Sequence, residues 1–355
     1  MADKRVAPHC WHRSSEADQW GRSDWHCGQI STCRPPDTAR AHGRSFLSGS
    51  YVGRPHSSQR APPSIGSSSR LTGPGYRDGP DGFDRDVRAS RAMGAFTTLR
   101  YEESDGVAAI TLARPDKRNA MNDTMFAELG DATEQAANDP DVRVVLVSGE
   151  GRSFCAGIDL SMFSHEAFRG TASFQRFVRM AQRPFRNLQT MPKPAVAAVQ
   201  GHALGAGFQL ALACDIRICA QDAAFAMLEV RYGIIPDLGG NRPLTHLVGP
   251  ARAKEIVWTG RTVDAGEAER IGLANRVVAP ESLTKEAETL VADLAAGPPI
   301  PVALTKSLIN REAELSIEGS LEREAESQAR CITSEDHREA IAAFLEKRPP
   351  RYKGR

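Results

Sequence analysis

Two acidic residues, Glu229 and Asp237, lie in the segment FAMLEVRYGIIPDLGG, where they could share one cavity. Glu229 follows an apolar run, so we expect burial to raise the pKa of its carboxyl towards the range useful for proton transfer at neutral pH. Gly233 and Pro236 lie between the two acids and indicate a bend in the chain. Taken alone, the segment could equally hold a solvated glutamate and an aspartate in a turn.

Two glycine-containing turns add a second kind of chemistry. The segment RVVLVSGEGRSFCAGIDL leads from an apolar run to Cys155, Ala156 and Gly157, and AVAAVQGHALGAGFQLALACD leads through Gly205 and Ala206 into a helical pattern. Small residues let a ligand approach the backbone, and free amides at a helix start could hold a developing oxyanion. Each turn alone could equally serve tight packing. Neither contains the G-x-G-x-x-G fingerprint of dinucleotide-binding proteins.

The elements that must position these residues alternate between strands and helices. The patterns predict strands at 106–112, 143–148, 195–200 and 216–220, and helices at 122–137, 163–189 and 207–213. Beyond Gly249 the pattern becomes almost wholly helical, at 251–259, 265–271, 281–296, 301–313, 317–330 and 335–347. We therefore predict an α/β core over 93–260 and a helical part of the same domain over 261–355.

Residues 1–92 differ in composition, with 10 Gly, 8 Pro and 14 Ser among them. So few large apolar residues remain that this segment cannot bury much surface, and we interpret it as a disordered or mis-called N-terminal extension. Its Cys10, His12, His26, Cys27 and Cys33 fit no usual zinc spacing, so we predict no metal site.

Overall charge and hydropathy exclude several classes of protein. The 355 residues carry a formal net charge of +1, which gives no field that would attract nucleic acid or an anionic membrane surface. No apolar run is long enough to span a bilayer, and the N-terminus lacks the apolar core of a secretory signal. We expect a cytoplasmic protein with no nucleic-acid or membrane partner, in which the remaining cysteines are reduced thiols.

Several motifs together resemble the crotonase family, also called the enoyl-CoA hydratase/isomerase family. They are LARPDKRNAMN, SFCAGIDL, GHALGAGFQLALACDIR, EVRYGIIPDLGG and the ending FLEKRPPRYKGR, and the resemblance covers residues 93–355. It implies a spiral of β-β-α turns followed by helices that mediate assembly into a homotrimer or hexamer. It also implies an acyl-CoA thioester substrate of fatty acid metabolism, such as β-oxidation, with no separate cofactor because CoA is part of the substrate.

The resemblance assigns roles to individual residues. It implies that the backbone amides of Ala156 and Ala206 hold the thioester oxygen. It also places Gly157 and Asp159 among the residues that bind the CoA thioester, with Asp159 orienting the first of these loops. Further positions match the CoA path and the basic C-terminal motif: Lys117, Arg118, Ala120 and Lys347.

Gln209 decides which reaction we expect. Family members that hydrate efficiently have a second glutamate at this position, whereas glutamine can hold water but cannot take its proton. Glu229 alone suffices to move a proton between two carbons of an enoyl-CoA, and Asp237 matches a second acid/base of dienoyl-CoA isomerases. Those isomerases have aspartate at the position of Gln209, so that match is incomplete. We therefore predict double-bond isomerisation through an enolate, with hydration of 2-trans-enoyl-CoA to 3-hydroxyacyl-CoA as the alternative.

Relatives in the crotonase family also leave other classes open. Some members with altered carboxylates are acyl-CoA hydrolases, decarboxylases or dehalogenases, and a few bind partners or RNA without using their activity. A catalytic role predicts turnover that depends on Glu229, whereas a scaffold role predicts CoA binding without turnover.

Overall fold

A computed structural model describes residues 96–355 of the chain. The predicted N-terminal extension, residues 1–92, lies outside the described residues. The first contacts of the described part tie its start to the core, because the backbone amides of Thr97 and Thr98 each donate to Glu128 at 2.8 Å.

The larger of two β-sheets has six strands in the order β1-β2-β3-β4-β6-β9. The strands are β1 (Leu99–Ser104), β2 (Val107–Leu112), β3 (Val144–Gly149), β4 (Ala195–Val199), β6 (Ile216–Ala220) and β9 (Arg276–Val278). β1 and β2 form an antiparallel hairpin, and every later pair in this sheet is parallel. The four strands predicted from the sequence all lie in this sheet.

The smaller sheet contains β5 (His202–Leu204), β7 (Ala224–Ala226) and β8 (Val263–Asp264). Strands that follow each other in the chain are divided between the two sheets: β4 pairs with β6 in the larger and β5 pairs with β7 in the smaller, both in parallel. Isolated parallel bridges between Cys155 and Ala203 and between Met121 and Ile158 continue the same stacking to earlier turns. The chain therefore climbs as a spiral of β-β-α turns, as predicted.

Ten α-helices complete the described fold: α1 (Asp123–Asn138), α2 (Thr171–Thr190), α3 (Ala206–Ala213), α4 (Asn241–Val248), α5 (Pro250–Thr259), α6 (Ala265–Arg270), α7 (Leu283–Ala296), α8 (Pro299–Arg311), α9 (Ile317–Thr333) and α10 (Glu335–Glu346). The side chain of Asn122 caps α1 by accepting from Met125 N at 3.0 Å. The apolar side chains of α1 recur at helical spacing and bury one face against the core, which holds this helix in place.

Both faces of the larger sheet are covered at its centre, so the central strands β3 and β4 are mostly apolar, whereas the edge strand β1 is largely polar and exposed. All five residues of β4 are buried. Val196 and Ala198 pack against α7 through Ala287 and Val291, whereas Ala195, Ala197 and Val199 belong to the main core. The period of two that strand geometry imposes thus divides β4 between two apolar clusters.

The structure changes three details of the predicted elements. The helix predicted at 163–189 begins later, because two 3-10 turns (Leu160–Ser164 and Glu166–Arg169) precede α2 at Thr171. Helix α4, which follows Gly240, had no prediction. Strand β9 joins the larger sheet from the segment that we assigned to the helical C-terminal part.

Within residues 96–355, no helix is long and apolar enough to cross a membrane. The same part of the chain holds no group of three or more His, Cys, Asp or Glu side chains that could bind a metal ion.

Candidate active site

The two glycine-containing turns, the segment around Glu229 and the start of α2 enclose a cavity of about 110 Å³. Its lining includes the backbone of the two turns and three polar side chains, namely Ala156, Gly157, Gly205 and Ala206 from the turns and Gln209, Glu229 and Asp237 with their side chains. Backbone hydrogen bonds join the two turns, since Cys155 N donates to His202 O and Leu204 N donates to Cys155 O. The spiral therefore brings Ala156 and Asp237, which are 81 positions apart in the sequence, to one place.

Glu229 begins a short 3-10 turn (Glu229–Tyr232) and is 8% exposed. Its Oε1 accepts a hydrogen bond of 2.8 Å from Gln209 Nε2, whereas its Oε2 is buried and has no hydrogen-bond partner among the described residues. Burial raises the pKa of the Glu229 carboxyl above its usual range, and the negative charge of Asp237 raises it further. One carboxylate oxygen is therefore free to exchange a proton with a molecule in the cavity.

Gln209 lies in α3 and is buried. Its hydrogen-bond partners determine how its side-chain amide is oriented. The Oε1 of Gln209 accepts hydrogen bonds from Leu238 N at 2.9 Å and Gly240 N at 3.2 Å. Because the carbonyl end faces these two amides, the NH₂ end faces Glu229. Gln209 thus acts on Glu229 as a hydrogen-bond donor and holds the turn after Asp237 against α3.

Asp237 is half-buried and lines the same cavity as Glu229, which agrees with the bend predicted from Gly233 and Pro236. Burial raises the pKa of its carboxyl. Two side-chain amides hold its loop in place: Gln182 Nε2 donates to Asp237 O at 2.6 Å, and Asn241 Nδ2 donates to Pro236 O at 2.9 Å.

Ala206 is the first residue of α3, and its N–H has no acceptor among the described residues, as expected at a helix start. Gly205 precedes it with φ +50°, and a β-carbon there would lie 3.4 Å from Glu229 Oε1. The free amide of Ala206 is therefore close to the carboxylate, in agreement with its predicted place in the site.

The prediction that Ala156 supplies the first oxyanion amide is wrong, because Ala156 N already donates to Arg118 O at 2.9 Å. Asp159 N is also engaged, with Met121 O at 2.8 Å. Between them, the N–H of Ile158 has no acceptor among the described residues, and Ile158 lines the cavity. The alternation follows from the strand-like pairing of this loop, in which neighbouring amides point to opposite sides.

Gly157 has a positive φ of +102°, which favours glycine. A β-carbon at this position would lie 2.9 Å from Leu204 O and 3.9 Å from Ala206 N. The absence of a side chain therefore lets the loop that carries Ile158 approach the start of α3.

The carboxylate of Asp159 joins its own loop to the earlier loop that begins at Arg114. Its carboxylate pairs with Arg114 Nη2 at 3.0 Å and accepts from Ser161 N at 3.1 Å. Although burial raises it, these hydrogen bonds hold the pKa of Asp159 below its usual range. Arg114 also donates to Ala120 O, so one guanidinium joins the 114–120 loop to the loop of Ile158. The loop-orienting role predicted for Asp159 agrees with these contacts.

The other predicted CoA-binding residues lie outside the cavity lining. Lys117 ends a 3-10 turn (Pro115–Lys117), and Arg118 follows in the left-handed region at φ +51°; both are exposed. Ala120 is half-buried in the same loop. Lys347 caps the C-terminal end of α10 and is exposed. Their roles towards CoA stay predictions.

Arg114 and Asn119 were missed as site-supporting residues. Asn119 is fully buried, and its Nδ2 donates to the carbonyls of Glu150, Ser153 and Phe154 at 2.9, 2.9 and 3.1 Å. It takes φ +57°, a left-handed conformation that asparagine tolerates better than most residues. The asparagine within KRNAMN was the available signal, since such a residue in a loop often bonds to backbone.

The chain is similar to known proteins over most of its described length. The family described as Enoyl-CoA hydratase/isomerase matches residues 102–355. The chain is 37% identical over 248 residues to the short-chain-enoyl-CoA hydratase of Clostridium acetobutylicum, covering 70% of this chain and 94% of that protein. It is 36% identical over 251 residues to the 1,2-epoxyphenylacetyl-CoA isomerase of Escherichia coli, covering 70% and 96%.

A solved structure from Thermobifida fusca, described as an enoyl-CoA hydratase in complex with acetoacetyl-CoA, superimposes with a TM-score of 0.63. It is 37% identical to this chain and covers 67% of this chain and 98% of its own.

Proposed function

The chain belongs to the enoyl-CoA hydratase/isomerase family, whose members act on CoA thioesters, and on that premise we propose that it shifts the double bond of an enoyl-CoA by proton transfer. The observation that carries this proposal is the free Oε2 of Glu229, which is buried beside the cavity and has no partner of its own. A carboxylate with one unengaged oxygen and a raised pKa can both accept and return a proton.

In the proposed reaction, Glu229 removes a proton from C2 of a 3-enoyl thioester. The electron pair moves into the thioester, so that an enolate forms with its charge on the carbonyl oxygen. The amides of Ala206 and Ile158, free in the described structure, would donate to that oxygen. Protonated Glu229 then returns the proton to C4, which leaves the double bond between C2 and C3. One such donor is typically worth about 2.7–4 kcal/mol of barrier.

Gln209 favours isomerisation over hydration. Its carbonyl end is engaged by two backbone amides and its NH₂ end donates to Glu229, so it cannot accept a proton from water. Gln209 carries no charge, so the carboxylates that line the cavity are those of Glu229 and Asp237. We propose that Asp237 serves as a second proton site for dienoyl substrates.

We propose that the CoA part of the substrate follows the exposed loop that carries Lys117, Arg118 and Ala120, with Lys347 near the nucleotide end. The three basic side chains, Lys117, Arg118 and Lys347, would attract the phosphates. CoA enters as part of the substrate in this proposal, which involves no separate cofactor.

Hydration of 2-trans-enoyl-CoA is the second candidate, because several similar proteins carry hydratase names, among them a crotonyl-CoA hydratase that is 35% identical over 255 residues. For hydration, Glu229 would activate water with Gln209 only holding it. The two reactions predict different products from the same enzyme.

The test uses 3-enoyl-CoA and 2-enoyl-CoA esters with the purified chain and two variants. Glu229→Gln should lower isomerase turnover by about 100-fold to 10,000-fold, the usual loss of a general acid/base. Gln209→Glu restores paired carboxylates and should raise the ratio of hydration to isomerisation. Rapid hydration by the wild type without any isomerisation would reverse our order of the two reactions.

We also propose assembly into a homotrimer or hexamer. Large apolar side chains are exposed on α9 and α10, namely Ile317, Leu321, Ile332, Ile341, Phe344 and Leu345. An unpaired protomer would present these side chains to water, which is unusual for a monomer. The mass in solution, measured by light scattering, tests this proposal.

A further inference from the structure

The cavity has walls of aromatic rings. Besides the polar residues already described, six rings line it: Phe126, Phe163, Phe168, Phe174, Phe177 and Tyr232. They come from α1, α2, the 3-10 turns before α2 and the turn that begins at Glu229. We call these six residues the aromatic wall.

The rings of the aromatic wall form a continuous cluster. The Phe168 ring lies at the centre, with its centroid 5.7 Å from Phe163, 5.2 Å from Phe174 and 5.6 Å from Phe177. Phe177 in turn meets Phe126 edge-on at 5.8 Å. Both edges and faces therefore occur among neighbouring rings, which are the two surfaces that an aromatic guest prefers.

At the other end of the aromatic wall, the rings of Phe163 and Tyr232 lie 6.0 Å apart and are partly open to solvent, at 39% and 58% exposure. Phe126 is buried at 1% exposure. The wall thus runs from the protein surface to the core and passes beside Glu229.

The size of the cavity limits what the aromatic wall can take. Its volume is about 110 Å³. An apolar protein cavity of about 150 Å³ is known to bind benzene, so this space is on the scale of one six-carbon ring, and it opens to solvent beside Phe163 and Tyr232. The polar groups that would hold the reacting part line the same cavity.

We infer that the preferred acyl group carries an aryl ring, so that the substrate is a CoA thioester of a short enoyl chain ending in phenyl. The inference rests on the proposed function, because it assigns the thioester to the oxyanion amides and the reacting carbons to Glu229. The phenyl ring then packs edge-to-face against Phe168 and its neighbours, which saturated carbon of equal size cannot do to the same extent.

The test compares binding of three unreactive thioesters to the full chain by isothermal titration calorimetry: 4-phenylbutanoyl-CoA, 4-cyclohexylbutanoyl-CoA and decanoyl-CoA. All three have ten acyl carbons, so their apolar content is closely matched. We expect the phenyl compound to bind about 10-fold more tightly than either of the others. Phe168→Leu should reduce this preference to about 2-fold or less, whereas Phe96→Leu, a half-buried ring outside the cavity, should preserve it.

Phe174→Leu gives the same measurement if Phe168→Leu fails to fold, because Phe174 is a second half-buried ring of the aromatic wall. Equal or tighter binding of decanoyl-CoA or the cyclohexyl compound by the wild type would overturn the aryl preference while leaving the proposed function intact. If none of the three thioesters binds, the aryl preference is overturned, and turnover of a short 3-enoyl-CoA ester then decides whether the proposed function fails with it. An aryl preference that survives loss of the Phe168 or Phe174 ring would overturn the aromatic wall as its cause.

Discussion

The two carboxylate oxygens of Glu229 differ in their hydrogen bonding, and this difference suits the side chain to moving a proton between two carbons. Oε1 is held by Gln209, which sets the direction of the carboxylate, while Oε2 has no partner among the described residues. An unsatisfied buried oxygen costs folding free energy. Such a cost is typical of functional sites, where a poised group matters more than stability.

Asp237→Asn should move the acid limb of the isomerase pH profile to lower pH. Glu229 acts as a base only when ionised, and the charge of Asp237 raises the pKa of Glu229. Removing that charge lowers this pKa, so Glu229 stays ionised to more acidic pH. The measurement is kcat/KM of a simple 3-enoyl-CoA against pH, which reports groups of the free enzyme.

Asp293→Asn is the matched control, since Asp293 is exposed on α7 and the variant changes net charge equally. Its acid limb should stay in place. If the limb of Asp237→Asn also stays in place, or moves to higher pH, the two carboxylates do not interact as described.

At the residue scale, side chains were easier to predict from sequence than backbone donors. Glu229 was identified from the apolar run before it, Asp237 from the bend that follows and Gln209 from the family resemblance, and all three line the cavity. The amide of Ala156 was assigned wrongly, because hydrogen bonding in a loop depends on its pairing with a distant segment. Only the bond from Ala156 N to Arg118 O shows which amide remains free.

The same limit explains why Arg114 was missed. Its contacts with Asp159 and with the carbonyl of Ala120 join two loops that are 45 positions apart in sequence. An arginine before a proline carries no local sign of such a role.

At the scale of elements, the site depends on where α3 begins. Ala206→Pro should lower turnover by a few hundredfold, corresponding to the loss of one oxyanion donor. Proline has no N–H but is well tolerated at the first position of a helix, so the fold should survive. Ala206→Gly retains the amide and should have a mild effect. The comparison is kcat/KM for the three proteins, with circular dichroism to check folding.

Ile317→Pro is a matched control for this change, because Ile317 is the first residue of α9 and does not line the cavity. It should leave kcat/KM within about twofold at a protein concentration that keeps the assembly intact. Full activity of a folded Ala206→Pro protein would show that the oxyanion is held elsewhere.

Most elements of five or more residues were predictable, and the shortest strands were not. Strand β6 matches its predicted bounds, and α1, α5 and α7 lie within two residues of theirs, because several turns of periodic burial define them. Strands β5, β7 and β8 have three, three and two residues, too few for any periodic pattern. These strands form because the spiral places them beside strands that are distant in the sequence, and a local sequence pattern does not contain that information.

At the scale of the whole molecule, Lys306 of α8 fastens the helical C-terminal part to the core. Its Nζ donates to Leu188 O at 2.8 Å, Lys193 O at 2.9 Å and Asp215 Oδ2 at 2.7 Å. Its side chain is 9% exposed. Burial raises the pKa of Asp215, and the charge of Lys306 opposes this effect.

Lys306→Met should cost roughly 3–5 kcal/mol of unfolding free energy near neutral pH, because it leaves the Asp215 carboxylate buried without its counter-charge. The loss should shrink as pH falls towards the raised pKa of Asp215, since a protonated carboxyl needs no counter-charge. Urea unfolding at several pH values measures the free energy of unfolding of both proteins.

The exposed Lys285→Met is the control and should change stability by less than about 0.5 kcal/mol at any of these pH values. A loss for Lys306→Met that is independent of pH would argue against the ion pair as its cause.

Residues 93–355 should fold and react without the preceding segment. The family match begins at residue 102, the hairpin of β1 and β2 starts the larger sheet at Leu99, and Thr97 and Thr98 already bond to Glu128 of α1. Both apolar clusters of the described structure are built from residues of this part of the chain alone. A fragment that starts at Met93 should therefore match the full chain in Tm within about 2 °C and in kcat/KM within about twofold, because a shift of that size is less than 1 kcal/mol for a domain this large. The measurements are calorimetry and turnover of the same enoyl-CoA ester by the two proteins.

A second fragment that starts at Ala108 serves as the opposite control, since it lacks β1 and should unfold. A clear loss of Tm or turnover in the fragment that starts at Met93 would show that residues 1–92 contribute to the fold or to the reaction.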